Sequence, residues 1–255
     1  MNTLLKDKNI LIMGVANKWS IAWGIAEEFN KAGANLAFTY QGERSLANIE
    51  KLTKDMKKVK IIECDVTQDE DIKNAFDELK EDFDVLHGVV HCIAHAKKEE
   101  LAGKYMDTSR EGYHMAQDIS AYSLVVVTKY AKELMVEGGS IVTLSYLGAE
   151  RAIKNYNVMG VAKAALEAST RYLAADLGKE NIRVNAISAG PVKTLAAKGV
   201  SDFSKLMKEF EERVPLGRIV DAREVGGTAV FLCSNLSSGI TGEVIHVDGG
   251  FSIVG

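Results

Sequence analysis

The sequence predicts a single α/β domain of the doubly wound, Rossmann type, with a seven-stranded, mostly parallel sheet flanked by helices. Three observations carry that expectation. Short apolar, β-branched runs alternate with longer helical patterns along the whole chain. Most of those runs are continuous rather than alternating, as strands covered on both faces should be. The first of them ends in a glycine just before a helix pattern, and such folds gather ligands at the carboxyl ends of their strands.

Taken in order, the first strand is KNILIMGV (8–15), turning at Gly14 into a helix over 21–32 with Ser20 placed as its N-cap. NLAFTY (35–40) leads to a helix over 43–56, and VKIIECDV (59–66) to one over 69–81. DVLHGVVHCIA (84–94) precedes a long helical stretch, 111–136. GSIVTLSY (139–146) precedes another, 154–178. IRVNAIS (182–188) and EVIHVDGG (243–250) complete the strands, with a helix over 222–234 between them. Right-handed crossovers through these helices give a parallel sheet. Residues 191–213 break the rhythm; they are too long for an ordinary connection and read as a lid or substrate loop.

Composition bounds the class. A chain of 255 residues, 47% hydrophobic and 26% charged, can bury a full core and suits one large domain over 1–255. Only Pro191 and Pro215 occur, and no Ser/Gly/Pro-rich linker divides the chain. A net charge of −4 gives no reason to expect nucleic acid. The run Ile10 to Ala16 is too short to span a membrane and lacks the order of a secretory signal. Cys64, Cys92 and Cys233 are scattered in apolar runs and read as reduced, buried thiols, which suits a cytoplasmic protein.

Two constellations carry chemistry. After Gly14, the stretch to Ser20 and Ile21 can place backbone N–H groups and a helix dipole at a pyrophosphate. The same residues also suit a plain tight turn with a capping serine, since G-x-G-x-x-G is absent. The second constellation is Tyr156 with Lys163 in NYNVMGVAKAALEAS. Seven helical residues turn through ~700°, returning the two side chains to within ~20° of one face. A nearby ammonium favours phenolate, and it can hold ribose hydroxyls. Such a phenol beside a nicotinamide can donate or stabilise a proton. Tyr146, at the end of a strand, adds a second phenol, and NAISAGPVKT (185–194) leaves room for a flat ring.

His87, His91 and His95 are evenly spaced, but as strand residues four apart they would lie ~13 Å from one another. No one ion could bind two of them, so no metal is expected.

The segments LSYLGAERAIKNYNVMGVAKAALEASTRYLAADLG and RVNAISAGPVKTLAAKG resemble the enoyl-acyl carrier protein reductases of the short-chain dehydrogenase superfamily. So do GVANKWSIAWGIA, CDVT and GEVIHVDGGFSI, so the resemblance spans nearly the whole chain. Ordinary carbonyl reductases of that superfamily show Tyr-x3-Lys, whereas here Gly160 follows Tyr156 by four. They also usually carry a serine where this chain has Thr143.

The resemblance implies hydride transfer from NADH, or less readily NADPH, to a trans-2-enoyl thioester on acyl carrier protein in bacterial fatty-acid synthesis. It implies Tyr146, Tyr156 and Lys163 as catalytic residues. Gly14, Ser20, Ile21, Gln41, Asp65, Val66, Ile93, Lys163, Val192, Lys193, Thr194, Leu195 and Ala196 would hold the cofactor. Ala96, Tyr146, Tyr156, Met159, Phe203 and Leu206 would receive the acyl chain. It also implies a homotetramer. Gln41 resembles the NADH-using members, while Arg44 could meet a 2′-phosphate; His95 stands where an aromatic is common. Lys193, Lys198, Lys205 and Lys208 read either as a solvated face or as a landing patch for the acidic carrier protein. Two alternatives share these residues: a related reductase of ketones or alcohols, and a catalytically silent dinucleotide-binding sensor.

Overall fold

The computed structural model describes residues 3–192 and 210–254. Seven strands form one sheet in the order β3-β2-β1-β4-β5-β6-β7, and every neighbouring pair is parallel. They are β1 (Asn9–Met13), β2 (Asn35–Tyr40), β3 (Lys60–Glu63), β4 (Gly88–His91), β5 (Gly139–Ser145), β6 (Ile182–Ala189) and β7 (Val244–Val247). The α-helices that lie wholly among the described residues are α1 (Ile21–Lys31), α2 (Glu43–Thr53), α3 (Asp69–Asp82), α4 (Arg110–Gln117), α5 (Ser123–Leu134), α6 (Asn157–Leu177) and α7 (Ala222–Cys233).

The continuous apolar runs have a direct reason. Along β1, Leu11 and Met13 enter a core with α3, α5 and α6, while Ile10 and Ile12 enter a second core with α1 and α7. Successive side chains point to opposite faces, so a strand covered on both sides must be apolar at every position. The chain reverses its winding between β1 and β4, which opens a crevice at their carboxyl ends.

Three boundaries differ from the sequence reading. The fourth strand is confined to Gly88–His91, because the residues after it leave the sheet to line the crevice. The expected helix 111–136 is three pieces, α4, a π-helical turn over Asp118–Tyr122, and α5. At that turn the Ser120 hydroxyl lies 3.0 Å from the His95 N–H and 3.2 Å from its carbonyl, tying the turn to the loop after β4. Such turns cannot be read from hydrophobic periodicity and recur at functional sites. The expected helix 154–178 begins only at Asn157, because Asn155 is left-handed (φ 61°) and Tyr156 has non-helical φ −128° and ψ 4°.

Of residues 191–213, only Pro191, Val192 and 210–213 are described. Phe210 packs on Phe251 with ring centroids 4.0 Å apart, and the Arg213 guanidinium lies over the same ring. None of the described helices is long and apolar enough to cross a membrane.

Candidate active site

The site grows from the end of β1. Gly14 has φ 89°, a conformation glycine adopts freely, and a Cβ there would sit 2.2 Å from the Cys92 carbonyl oxygen. The turn therefore admits no side chain at this position, and the Gly14 backbone lies close against Cys92 at the end of the neighbouring strand. Ser20 caps α1, its Oγ accepting from the Trp23 N–H at 3.3 Å and donating to the Asn17 carbonyl at 2.7 Å. The turn and the helix N-terminus together provide the donors and the dipole that a diphosphate requires.

A cleft of about 470 Å³ runs along the strand ends, and it collects Gly14, Gln41, Asp65, Val66 and Ile93 from four separate segments. In one corner of it the Gln41 amide donates to Asp65 at 2.7 Å, and the Thr67 N–H and hydroxyl donate to the other carboxylate oxygen. Burial alone would raise the Asp65 pKa, but the Thr67 and Gln41 hydrogen bonds outweigh it and hold the carboxyl below its usual value. Residues not singled out from sequence also line this cleft, among them Thr39, Ser45, Cys92, Met115 and Ile119. The glycine-to-helix signal marked the cleft, yet nothing local marked those walls. The cleft, the glycine cradle and the capped helix fit a dinucleotide.

The second half of the site lies where β5 ends against α6. Lys163 is buried, and its ammonium donates to the Leu144 carbonyl at 2.6 Å. Burial lowers its pKa to about 8, although Glu167 and Cys92 pull the other way. Tyr146 and Tyr156 meet edge to face, with ring centroids 4.8 Å apart and planes at 70°. Gly148 makes room for this contact, since a Cβ there would lie 2.4 Å from Tyr156 Cδ1. Burial first, and then Tyr146, push the Tyr156 phenol far above its ordinary value. The expectation that the lysine favours phenolate is thus corrected: burial dominates, and the group is a neutral hydrogen-bond donor. Tyr156 is the N-cap residue of α6 rather than part of its face, which also corrects the shared-face argument.

Ala96 and Tyr156 pack against Ala116, Val158, Met159 and Ala162, an apolar patch beside the tyrosines. Val192 lies apart from the cleft at the strand ends, in a separate cavity with Lys18, Trp19 and Ile219. Lys193, Thr194, Leu195, Ala196, Phe203 and Leu206 fall outside the described residues, as do Lys198, Lys205 and Lys208.

The histidines have three different environments. His91 is fully buried at the end of β4, its ring nitrogens 3.1 Å from the Thr143 hydroxyl and 2.9 Å from that of Ser123. Burial, with Lys163 nearby, lowers its pKa to about 3, so the ring is neutral. His87 accepts from the Asn9 N–H, and His95 lines the cleft. Among the described residues no group of three His, Cys, Asp or Glu could hold a metal ion. The cysteines are free thiols, Cys64 buried and Cys92 and Cys233 half-buried; burial pushes each up to about 12.

Comparison with known proteins places this geometry. The enoyl-(acyl carrier protein) reductase family model matches residues 14–252. The enoyl-acyl-carrier-protein reductase (NADH) FabI of Bacillus subtilis (strain 168) is 58% identical over 255 residues, covering 99% of both chains. A Staphylococcus aureus (strain MRSA252) relative, named as the NADPH form, is 54% identical over 252 residues, with 98% of each chain covered. The crystal structure of the Bacillus cereus enoyl-acyl carrier protein reductase, titled as a complex with NADP+ and indole naphthyridinone, matches with a TM-score of 0.97. It is 55% identical and covers 99% of each chain. The chain belongs to the enoyl-acyl carrier protein reductase family.

Proposed function

We propose that this chain is an NADH-dependent reductase that converts trans-2-enoyl thioesters on acyl carrier protein to saturated acyl thioesters, the last reductive step of fatty-acid chain elongation. The observation that carries the reading is the half-buried, neutral Tyr156 phenol held edge-on to Tyr146 at the end of β5, whose Leu144 carbonyl anchors Lys163.

A nicotinamide cofactor, when bound, would supply the hydride that the β-carbon of the enoyl group takes up, with a proton completing the reduction at the α-carbon. This chain's residues bind, orient and stabilise. Gln41, Asp65 and Val66 receive the adenosine end, with Ile93 on the ribose side. Gly14, Ser20 and Ile21 receive the pyrophosphate. Lys163 would donate to the nicotinamide ribose, and Val192 to Ala196 would serve the carboxamide. Tyr156 donates its hydrogen bond to the thioester oxygen, where negative charge grows as the enolate forms. A donor placed for that charge binds the transition state better than the substrate, and one such bond is worth on the order of 3 kcal/mol. A neutral phenol suits this role, because a phenolate would repel the enolate. Tyr146 steers the approach of the substrate, and Ala96, Met159, Phe203 and Leu206 form the acyl pocket.

The whole chain acts as one dinucleotide-binding domain, and residues 191–213 serve the substrate side. The assembly is a homotetramer, and it works in the cytoplasm.

NADH oxidation with crotonyl thioester and with acetoacetyl thioester, each at saturation, tests the reading. Turnover of the enoyl substrate at tenfold or more the rate of the keto substrate is expected. Preferential turnover of acetoacetyl thioester would favour the carbonyl-reductase alternative.

A further inference from the structure

Three consecutive residues at the end of β5 are each tied to α6 or its cap. Leu144 offers its carbonyl to Lys163 at 2.6 Å, and Tyr146 packs its ring on Tyr156, the N-cap of α6. Between them, the Ser145 hydroxyl donates to Glu167 Oε1 at 2.5 Å. Glu167 stands four residues after Lys163, so the helix repeat places both on the same face. Ser145 and Glu167 are buried at 4% and 8% exposure. Burying a carboxyl group is costly unless it is bonded, so an acid kept here needs a role beyond filling space. Two of the three ties carry the proposed chemistry; the middle one touches no reacting group.

We propose that Glu167 is a positioning residue, acting through Ser145 to set the end of β5 against α6 and so aim the Lys163 ammonium at the nicotinamide ribose. The inference rests on the reading of Lys163 as the ribose anchor. The peptide that carries the Leu144 carbonyl also carries the Ser145 nitrogen. A displacement of Ser145 therefore rotates the acceptor that fixes one of the three ammonium protons, and with it the direction of the other two. The bond, rather than the charge of Glu167, is what the arrangement uses. An amide oxygen at the same place accepts from Ser145 equally well.

Steady-state kinetics of Glu167→Ala, Glu167→Gln, Ser145→Ala and the Glu167→Ala/Ser145→Ala pair test this, with Lys163→Ala as control. Glu167→Ala should raise the KM for NADH about tenfold while the KM for crotonyl thioester stays within about twofold. Glu167→Gln should restore most of the NADH affinity. Ser145→Ala should match Glu167→Ala, and the double variant should be no worse than either, since both remove one interaction. Ser145→Ala and Glu167→Gln keep the test usable if Glu167→Ala folds poorly. Additive losses, a glutamine variant as weak as alanine, or parallel increases in both KM values would overturn the proposal. If Lys163→Ala left NADH affinity at the parent value, the ribose-anchor reading itself would fall, whatever the Glu167 variants did.

Discussion

At the scale of single residues, the two tyrosines separate by what surrounds them. Tyr156 is the more deeply buried phenol and stays protonated, so Tyr156→Phe should lower kcat with little change in KM for the thioester. The loss is expected to be about tenfold to a hundredfold, below the full value of an oxyanion donor, because water can enter the vacated place. Tyr146→Phe should change kcat/KM by an amount that depends on acyl length. Kinetics of both variants with short and long enoyl thioesters check this, and a silent Tyr156→Phe beside a dead Tyr146→Phe would exchange the roles. Lys163 gives a pH prediction. Its pKa is about 8 in the fold against an ordinary 10.5, so between those values the unfolded chain holds more protons. Stability should therefore rise with pH across that window, as the buried charge is lost. NADH affinity should move the opposite way, falling above pH 8 as the ammonium proposed to meet the ribose disappears. Fluorescence titration of NADH from pH 6.5 to 9.5 measures it; a flat profile would contradict the assignment. The placing of Tyr146 at the carboxyl end of a strand was legible from the apolar run before it, although the seven-residue spacing put Tyr156 on the α6 face, where it does not lie. The protonation of Tyr156 was not legible, because it depends on burial contributed by residues remote in sequence.

At the scale of elements, the turn between β1 and α1 makes the sharpest demand on one side chain. Gly14→Ala places a methyl group against the Cys92 carbonyl in a backbone conformation that alanine resists. We predict a stability loss of about 2 kcal/mol or more, together with weakened NADH binding. Urea unfolding and a cofactor titration of the same variant would both have to be unchanged for this to fail. The strands and most helices were legible because each strand buries both faces, which leaves an unbroken apolar run. The long stretch 111–136 was misread because its π-helical turn keeps the surrounding apolar pattern while shifting its phase. What fixes that turn is the Ser120 hydroxyl bonded to His95, a partner 25 residues away. The start of α6 was misplaced for a similar reason: a left-handed Asn155 holds Tyr156 outside the helix, where its ring can meet Tyr146.

For the whole molecule, the alternation of strands and helices made the doubly wound class legible. The meeting of cleft residues came from winding, which no local window contains. Gln41 and Asp65 lie 24 residues apart and meet only because β3 returns beside β2. That meeting bears on the choice of cofactor. Asp65 is kept ionised by Thr67 and Gln41 in the corner proposed to receive the adenosine, so a 2′-phosphate there would face a fixed negative charge. Arg44 opposes this from a neighbouring exposed position, and a relative 54% identical is named as the NADPH form. The carboxylate should prevail because it lies within the cleft, whereas a solvent-exposed guanidinium is screened. A ligand present at a hundred times its Kd adds ~2.7 kcal/mol to folding stability, and each kcal/mol shifts Tm by ~2–4 °C in a chain of this size. With a tenfold preference for NADH, equal concentrations of the two cofactors should leave the NADH complex melting ~3–5 °C higher. Gln41→Arg should narrow that gap, since it replaces the amide bound to Asp65 with a cation that can pair with the phosphate. Thermal unfolding of parent and variant with each cofactor reads the difference. An NADPH complex of the parent protein that melts as high as the NADH complex would show that Asp65 does not set the preference.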